Sequence, residues 1–343
     1  MNNIVLTHKG GERVRTINNE VAMQYGLTIN RLAYSRSNYY IDTTKGKFML
    51  RKVLIPKEQI GFEYEVNQQL IAKGFDEIER LYPTQRNQPY MTYQDKMYVL
   101  QSSRQTTDTD FTNALDIKAI VGLLARFHQA GKGIQSEARV SHDAVFRNMY
   151  DYFIKRQRES RQIQKTINKI TQKSPFERMF IDEYTVYEAL EEKAISLISY
   201  DLCDGICKQA KQAQCVAHNE YTYHAVNKGE NDYKIENLDR CTYNIQLMDL
   251  ANVLVKIMQK NSWDIGLLSM LIKEYDKYQA LSDNEMRVLK AMLIFPEKYA
   301  TLCHKYMISK RRNHYSMFES KWENMNVYKE EQLKTIGDIE KNI

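Results

Sequence analysis

The hydrophobic period of this chain changes once, and that change limits the folds open to it. Residues 28 to 53, "TINRLAYSRSNYYIDTTKGKFMLRKV", and later "PYMTYQDKMYVLQSS" alternate aromatic or β-branched residues with polar ones. A period of two suits extended strands, whose successive side chains leave opposite faces of a sheet. Turns are expected at "TTKGK", with Gly46 near the tip, and at "QDK", so the strands run antiparallel. Between them, "KEQIGFEYEVNQQLIAKG" sets Ile60, Tyr64, Asn67 or Gln68 and Ile71 at helical spacing, with Gly74 where a C-terminal cap belongs. Beyond "RQTTDTD" the period becomes helical. "ALDIKAIVGLLARFHQAG" gathers Ile117, Ile120, Val121, Leu124 and Phe127 on one face and ends at Gly131. Helices continue to the end, interrupted by a β-like segment at 233 to 245. The expected fold is therefore α+β, with a small β-rich unit over residues 1 to 103 and a larger helical unit over 104 to 343.

Several chemistries find no foothold. A net charge of +6, from 49 basic and 43 acidic side chains, is too diffuse to point to a nucleic-acid partner. The stretch "YDYFIKRQRESRQIQKTINKITQK" is rich in Lys and Arg, but Ile163, Ile167 and Ile170 form an apolar stripe that leaves those charges on a solvated face. No apolar run approaches the roughly 20 residues a membrane helix needs, and the first residues are too quickly polar for a signal peptide, so an intracellular chain with no membrane partner is expected. Five scattered cysteines fit neither a disulfide framework nor a zinc quartet, and no metal is assigned. P-loop, hydrolase-elbow and zincin motifs are missing from the sequence.

What remains is the loop "CVAHNEYTYHAV" and its surroundings. Five segments in order carry a resemblance: "YYIDTTKGKFMLRKV", "FEYEVNQQLIAKGF", "TDTDFTNALDIKAIVGLLARFH", "AHNEYTYHAV" with "KIENLDRCTYNIQLMDLANVL", and "LKAMLIFPEKYATLCHKYMISKRR". The chain resembles the spore-coat CotS family, a branch of the aminoglycoside phosphotransferase and choline kinase group. That resemblance implies a bilobal protein-kinase-like fold, with a β-rich N-lobe and a large helical C-lobe.

It also implies roles for particular residues. The family loop reads H-G-D-x-x-x-x-N, and the same spacing here gives His218, Asn219, Glu220 and Ala225. In such sites the Asp orients the attacking hydroxyl and the Asn holds a magnesium ion bridging the phosphates. Alanine has no ligand atom, and Glu220 carries its carboxylate one methylene further out. The second metal ligand is Asn237 or Asp239, according to register. Arg51 aligns with the lysine that holds the nucleotide phosphates, and Glu65 with its helical ion-pair partner. Arg is a poor substitute for Lys there, because a planar fork replaces a compact ammonium. His128 and Asp249 are read as structural. The degenerate catalytic positions are thus Glu220 and Asp239, and the vestigial nucleotide site is Arg51 with Glu65. The expectation is a catalytically impaired kinase-like protein serving as a structural or assembly component of the spore coat. It needs no cofactor, meets other coat proteins as partners, and moves from the mother-cell cytoplasm to the coat. The alternative is an ATP-dependent phosphotransferase acting on a small molecule or sugar, with Mg-ATP as its cofactor.

Overall fold

The computed structural model describes residues 11–35, 37–138, 146–230, 232–309 and 315–342. In chain order the elements are α1 (Gly11–Tyr25), β1 (Ile29–Ser35), β2 (Asn38–Thr43), β3 (Gly46–Val53), α2 (Lys57–Ala72), β4 (Leu81–Tyr82), β5 (Met91–Tyr93), β6 (Lys96–Ser102) and β7 (Thr107–Asp108). Four helices follow: α3 (Ala114–Ala130), α4 (Met149–Asn168), α5 (Pro175–Ser196) and α6 (Tyr200–Gln212). Four short strands come next, β8 (Val216–Ala217), β9 (Val226–Lys228), β10 (Tyr233–Ile235) and β11 (Thr242–Tyr243). The chain closes with α7 (Leu247–Met258), α8 (Ile265–Asp276), α9 (Asp283–Ile294), α10 (Glu297–Ile308), α11 (Tyr315–Asn326) and α12 (Lys329–Asn342).

These elements form two compact units. The first gathers the described residues up to Asp110, those of Arg126–Asp143 and those of Gln214–Tyr243; the second takes Phe111–Ala125 and the described remainder. In the first unit, β1, β2, β3, β6 and β4 lie side by side, all antiparallel, and β5 pairs with β6. The expected turns are present. Gly46 has φ 125°, open only to glycine without strain. Gln94 and Asp95 both sit at positive φ in a two-residue β5–β6 connection, whose twist matches that of the strands. Gly74, at φ 82°, follows the end of α2 as a C-cap glycine does.

Residues 28 to 53, where a single turn at Gly46 was expected, form a three-stranded meander, since Ser35 and Asn38 close a further turn. The first unit also has a second helix. In α1, Ile17 and Val21 lie one turn apart and are fully buried in the core shared by Leu32, Ile41, Leu50 and Leu100. The face of α2 is rotated from the expected one. Ile60, Glu63, Val66, Asn67 and Leu70 are buried, whereas Tyr64 and Ile71 are only partly covered.

The second unit is helical and takes its core from aromatic side chains. Tyr187 and Tyr299 stack at 4.3 Å, Phe153 and Phe295 at 3.9 Å, and Trp322 meets Phe176 edge-on at 5.7 Å. Helix starts are set by local chemistry. Ser174 with Glu177 and Ser282 with Glu285 form capping boxes, each satisfying backbone amides that have no partner within the helix. On α4, Ile163 and Ile167 are buried as expected, whereas Ile170 lies past the end of the helix and is half-buried. Among the described residues, no helix is long and apolar enough to cross a membrane, and the five cysteines are free and buried.

Candidate functional site

All residues singled out by the motif reading, apart from Asp249, fall in the first unit. On β3 the side chain of Arg51 turns inward, opposite Val99 of β6, and only 7% of the residue remains exposed. A buried guanidinium must place its donors on fixed acceptors. Nε donates to Gln101 Oε1 at 2.9 Å, Nη2 donates to Glu63 Oε1, and Nη1 lies 3.6 Å from Asp239 Oδ2. Lys52, next on the strand, is half-buried, and its backbone amide donates to Asn38 Oδ1.

The ionic partner of Arg51 is therefore Glu63 and not Glu65. The two are about 200° apart around the helix. Glu63 faces the sheet, while the carboxylate of Glu65 accepts the backbone amide of Glu137. Glu63 also accepts the Leu238 amide at 3.2 Å, which ties α2 to the segment after β10. Burial pushes its carboxyl above the usual range, against the opposing pull of Arg51. Glu236 is likewise raised by burial, opposed by a hydrogen bond from Asn227 and by Arg51. Its carbonyl accepts Gln101 Nε2 at 3.3 Å, closing a ring of contacts through β3, β6, α2 and the 236–239 segment.

The loop after β8 keeps its form by other means. Asn219 has φ 64°, the left-handed region that Asn tolerates better than most residues. Its side-chain amide donates to Arg240 O at 2.8 Å and to Thr242 Oγ1 at 2.9 Å. Ala217 pairs with Thr242 across β8 and β11. Glu220 is exposed and lies 3.8 Å from Arg240 Nε. Ala225 is buried, with its amide donating to Thr222 O and its carbonyl accepting from Glu236 N, each at 2.9 Å. His218 is buried, 6.2 Å from the ring of Phe127 and 5.5 Å from that of Tyr221. His128 and Asp249 are buried as well.

The structure thus brings Arg51 and Asp239 together and sets Glu220 against Arg240. The motif reading missed Glu63 and Gln101. A signal for Glu63 exists in the sequence: Phe62, Val66 and Leu70, four apart, mark a buried stripe whose flank holds Glu63 rather than Glu65. Gln101 gives no such signal. Among the described residues no group of three or more His, Cys, Asp and Glu side chains is arranged to hold a metal ion.

A family model described as "Spore coat putative kinase YutH" matches residues 18–339. No curated protein sequence matches the chain. Among solved structures, an aminoglycoside phosphotransferase from Alicyclobacillus acidocaldarius is similar at a TM-score of 0.79 and 15% identity, over 94% of this chain and 95% of that one. Spectinomycin phosphotransferase, solved with ADP and spectinomycin, is similar at 0.58 and 14% identity, over 95% and 98%. Amicoumacin kinase is similar at 0.51 and 11%, over 92% and 93%. At these identities the similarity fixes the fold, which is bilobal and kinase-like.

Proposed function

Because the chain belongs to the spore coat kinase family described as YutH, we propose that it is a catalytically impaired kinase-like protein whose work in the coat is structural, as an assembly component meeting other coat proteins. The observation that carries this reading is the commitment of Arg51. Its Nε, Nη1 and Nη2 are directed at Gln101, Asp239 and Glu63 inside the unit, at the position where the family resemblance places a phosphate-binding lysine.

The donor set does not fit a magnesium-bound nucleotide. A magnesium ion between phosphates needs hard oxygen ligands at about 2.0–2.1 Å in octahedral geometry. Ala225 offers no side-chain oxygen, Asn237 offers a neutral amide, and the Asp239 carboxylate is already drawn to a cation. Glu220 retains a carboxylate, but it faces Arg240. Family membership also supports residence in the spore coat, with synthesis in the mother-cell cytoplasm before deposition.

Calorimetry and thermal shift with ATP and magnesium test the proposal. Millimolar Mg-ATP is expected to raise the melting temperature by less than about 2 °C, since saturation at 100 times Kd would add about 2.7 kcal/mol. A chelator-sensitive shift of several degrees would instead support the phosphotransferase alternative. For the structural role, an Asp239→Ala, Glu220→Ala variant in an endospore-forming host should localise to the coat like the parent. Failure to deposit despite normal folding would overturn that part.

A further inference from the structure

The helical unit contains a cavity of about 570 Å³, lined by α4, α5, α7, α10, the end of α9 and the α11–α12 junction. That volume lies within the range of sites for small organic ligands, about 300–1,000 Å³. A second cavity of about 330 Å³ shares Glu297, Lys298, Asn324 and Met325 with it, so the two are contiguous.

The lining is mainly apolar, including Met248, Val255 and Phe153, yet its charged groups are almost all of one sign. Arg147, Lys256, Lys260 and Lys298 stand against a single carboxylate, Glu297, and the second cavity adds Lys305 and Lys321 with no further acid. The Glu297 carboxylate is occupied, accepting the hydroxyls of Tyr152 and Thr301. Arg147 is held at the wall by the Tyr152 ring, 4.8 Å away. Lys298 has no ion-pair partner among the described residues, and crowding by its surroundings and by Lys256 lowers its pKa. Lys298 is exposed at the mouth of the cavity, where an ammonium next to a second cation makes a field that attracts an anion.

We propose that this cavity binds a small amphipathic anion, an aliphatic or aromatic body carrying a carboxylate or similar acid group. Lys298 and Arg147 receive the acid, and the apolar wall around Met248 and Val255 receives the body. The site lies wholly in the helical unit, and the proposal stands whether or not nucleotide binding survives elsewhere.

Fluorescence titration of the full chain with 8-anilinonaphthalene-1-sulfonate, an aromatic anion, tests the site against its uncharged analogue N-phenyl-1-naphthylamine. Saturable binding of the anion is expected. Lys298→Gln and Arg147→Gln should each weaken it by about ten- to a hundredfold, as for loss of one charge-assisted hydrogen bond, while the uncharged probe is unaffected. Lys298 is solvent-accessible, so its replacement should leave the fold intact, checked by circular dichroism and melting temperature. Calorimetry with decanoate, 2-naphthoate and inorganic phosphate then separates aliphatic from aromatic ligands, and both from an anion alone. No saturable binding, equal affinity in the Lys298→Gln, Arg147→Gln double variant, equal binding of the uncharged probe, or phosphate binding as tightly as the organic acids would each overturn the proposal.

Discussion

Replacing Arg51 with Met tests whether the pair with Glu63 is a structural lock. The Glu63 side chain is 1% exposed and that of Arg51 9%, so the variant leaves a carboxylate buried without its cation. Removing one member of a buried ion pair typically costs about 3–5 kcal/mol. The loss should depend on pH. Burial already holds the Glu63 carboxyl above its ordinary value, and Arg51 opposes that rise. Without Arg51 it rises further, so native Glu63 takes up a proton that the unfolded chain releases. The native state is then least penalised below the unfolded carboxylate value of about 4.3, and the penalty grows as pH climbs towards the raised native value. Adding Glu63→Gln should recover most of the loss and flatten the pH dependence, because the amide oxygen still accepts the Leu238 amide without carrying charge. Native-state hydrogen exchange over β3 and α2, followed from pH 5 to 8, reads the effect in the unit concerned. A loss under about 1 kcal/mol at pH 7, or one that ignores pH, would refute the lock, given the cost expected of a buried unpaired charge.

Two further outcomes can be checked. Glu191, fully buried between α4 and α5 with Ser160 Oγ donating at 2.9 Å, has its carboxyl raised to about 7, chiefly by burial. The native state thus retains a proton that the unfolded chain has released, so stability should fall between about pH 4.5 and 7, by up to about 3 kcal/mol, and level off above. Glu191→Gln should abolish that slope in urea melts, and an unchanged slope would contradict the assignment. Leu124 on α3 is fully buried, so Leu124→Ala should lower unfolding stability by about 2–5 kcal/mol by denaturant titration; full retention would mean that its helix face is not core.

The order of strands and helices was legible because hydrophobic period reports local geometry directly, and Gly46, Gly74 and the "QDK" turn marked real changes of direction. α1 was passed over although Ile17 and Val21 stand at helical spacing, because polar residues fill most of its length. On α2, large partly buried residues such as Tyr64 mimicked a core face and displaced the apparent stripe by one residue. Glu65 rests on the family resemblance, whereas the buried flank of α2 holds Glu63. Gln101 could not be read at all. Its role depends on β6 lying beside β3 and on the segment after β10 returning to both, contacts between residues far apart in sequence.

The way the loop holds its shape explains how such exchanges can accumulate without unfolding the protein. Ala225 bonds through its backbone to Thr222 and Glu236, so the loop keeps its form without the side-chain amide that the family pattern has there. Asn219 meets the left-handed conformation and adds two hydrogen bonds to the segment ahead of and within β11. Arg51 goes further, because its fork turns three acceptors towards the interior of the unit. Backbone pairing keeps the kinase-like framework, and on the proposed reading the exchanged side chains serve cohesion in place of phosphate chemistry. Returning ligand oxygens at Glu220, Ala225 and Asn237 would therefore leave Asp239 still facing Arg51. Glu220→Asp, Ala225→Asn, Asn237→Asp should gain magnesium-dependent nucleotide binding less readily than the same variant carrying Arg51→Lys, whose compact ammonium cannot span the same three partners. Calorimetric binding equal in the two variants would mean that Arg51 never blocked the site.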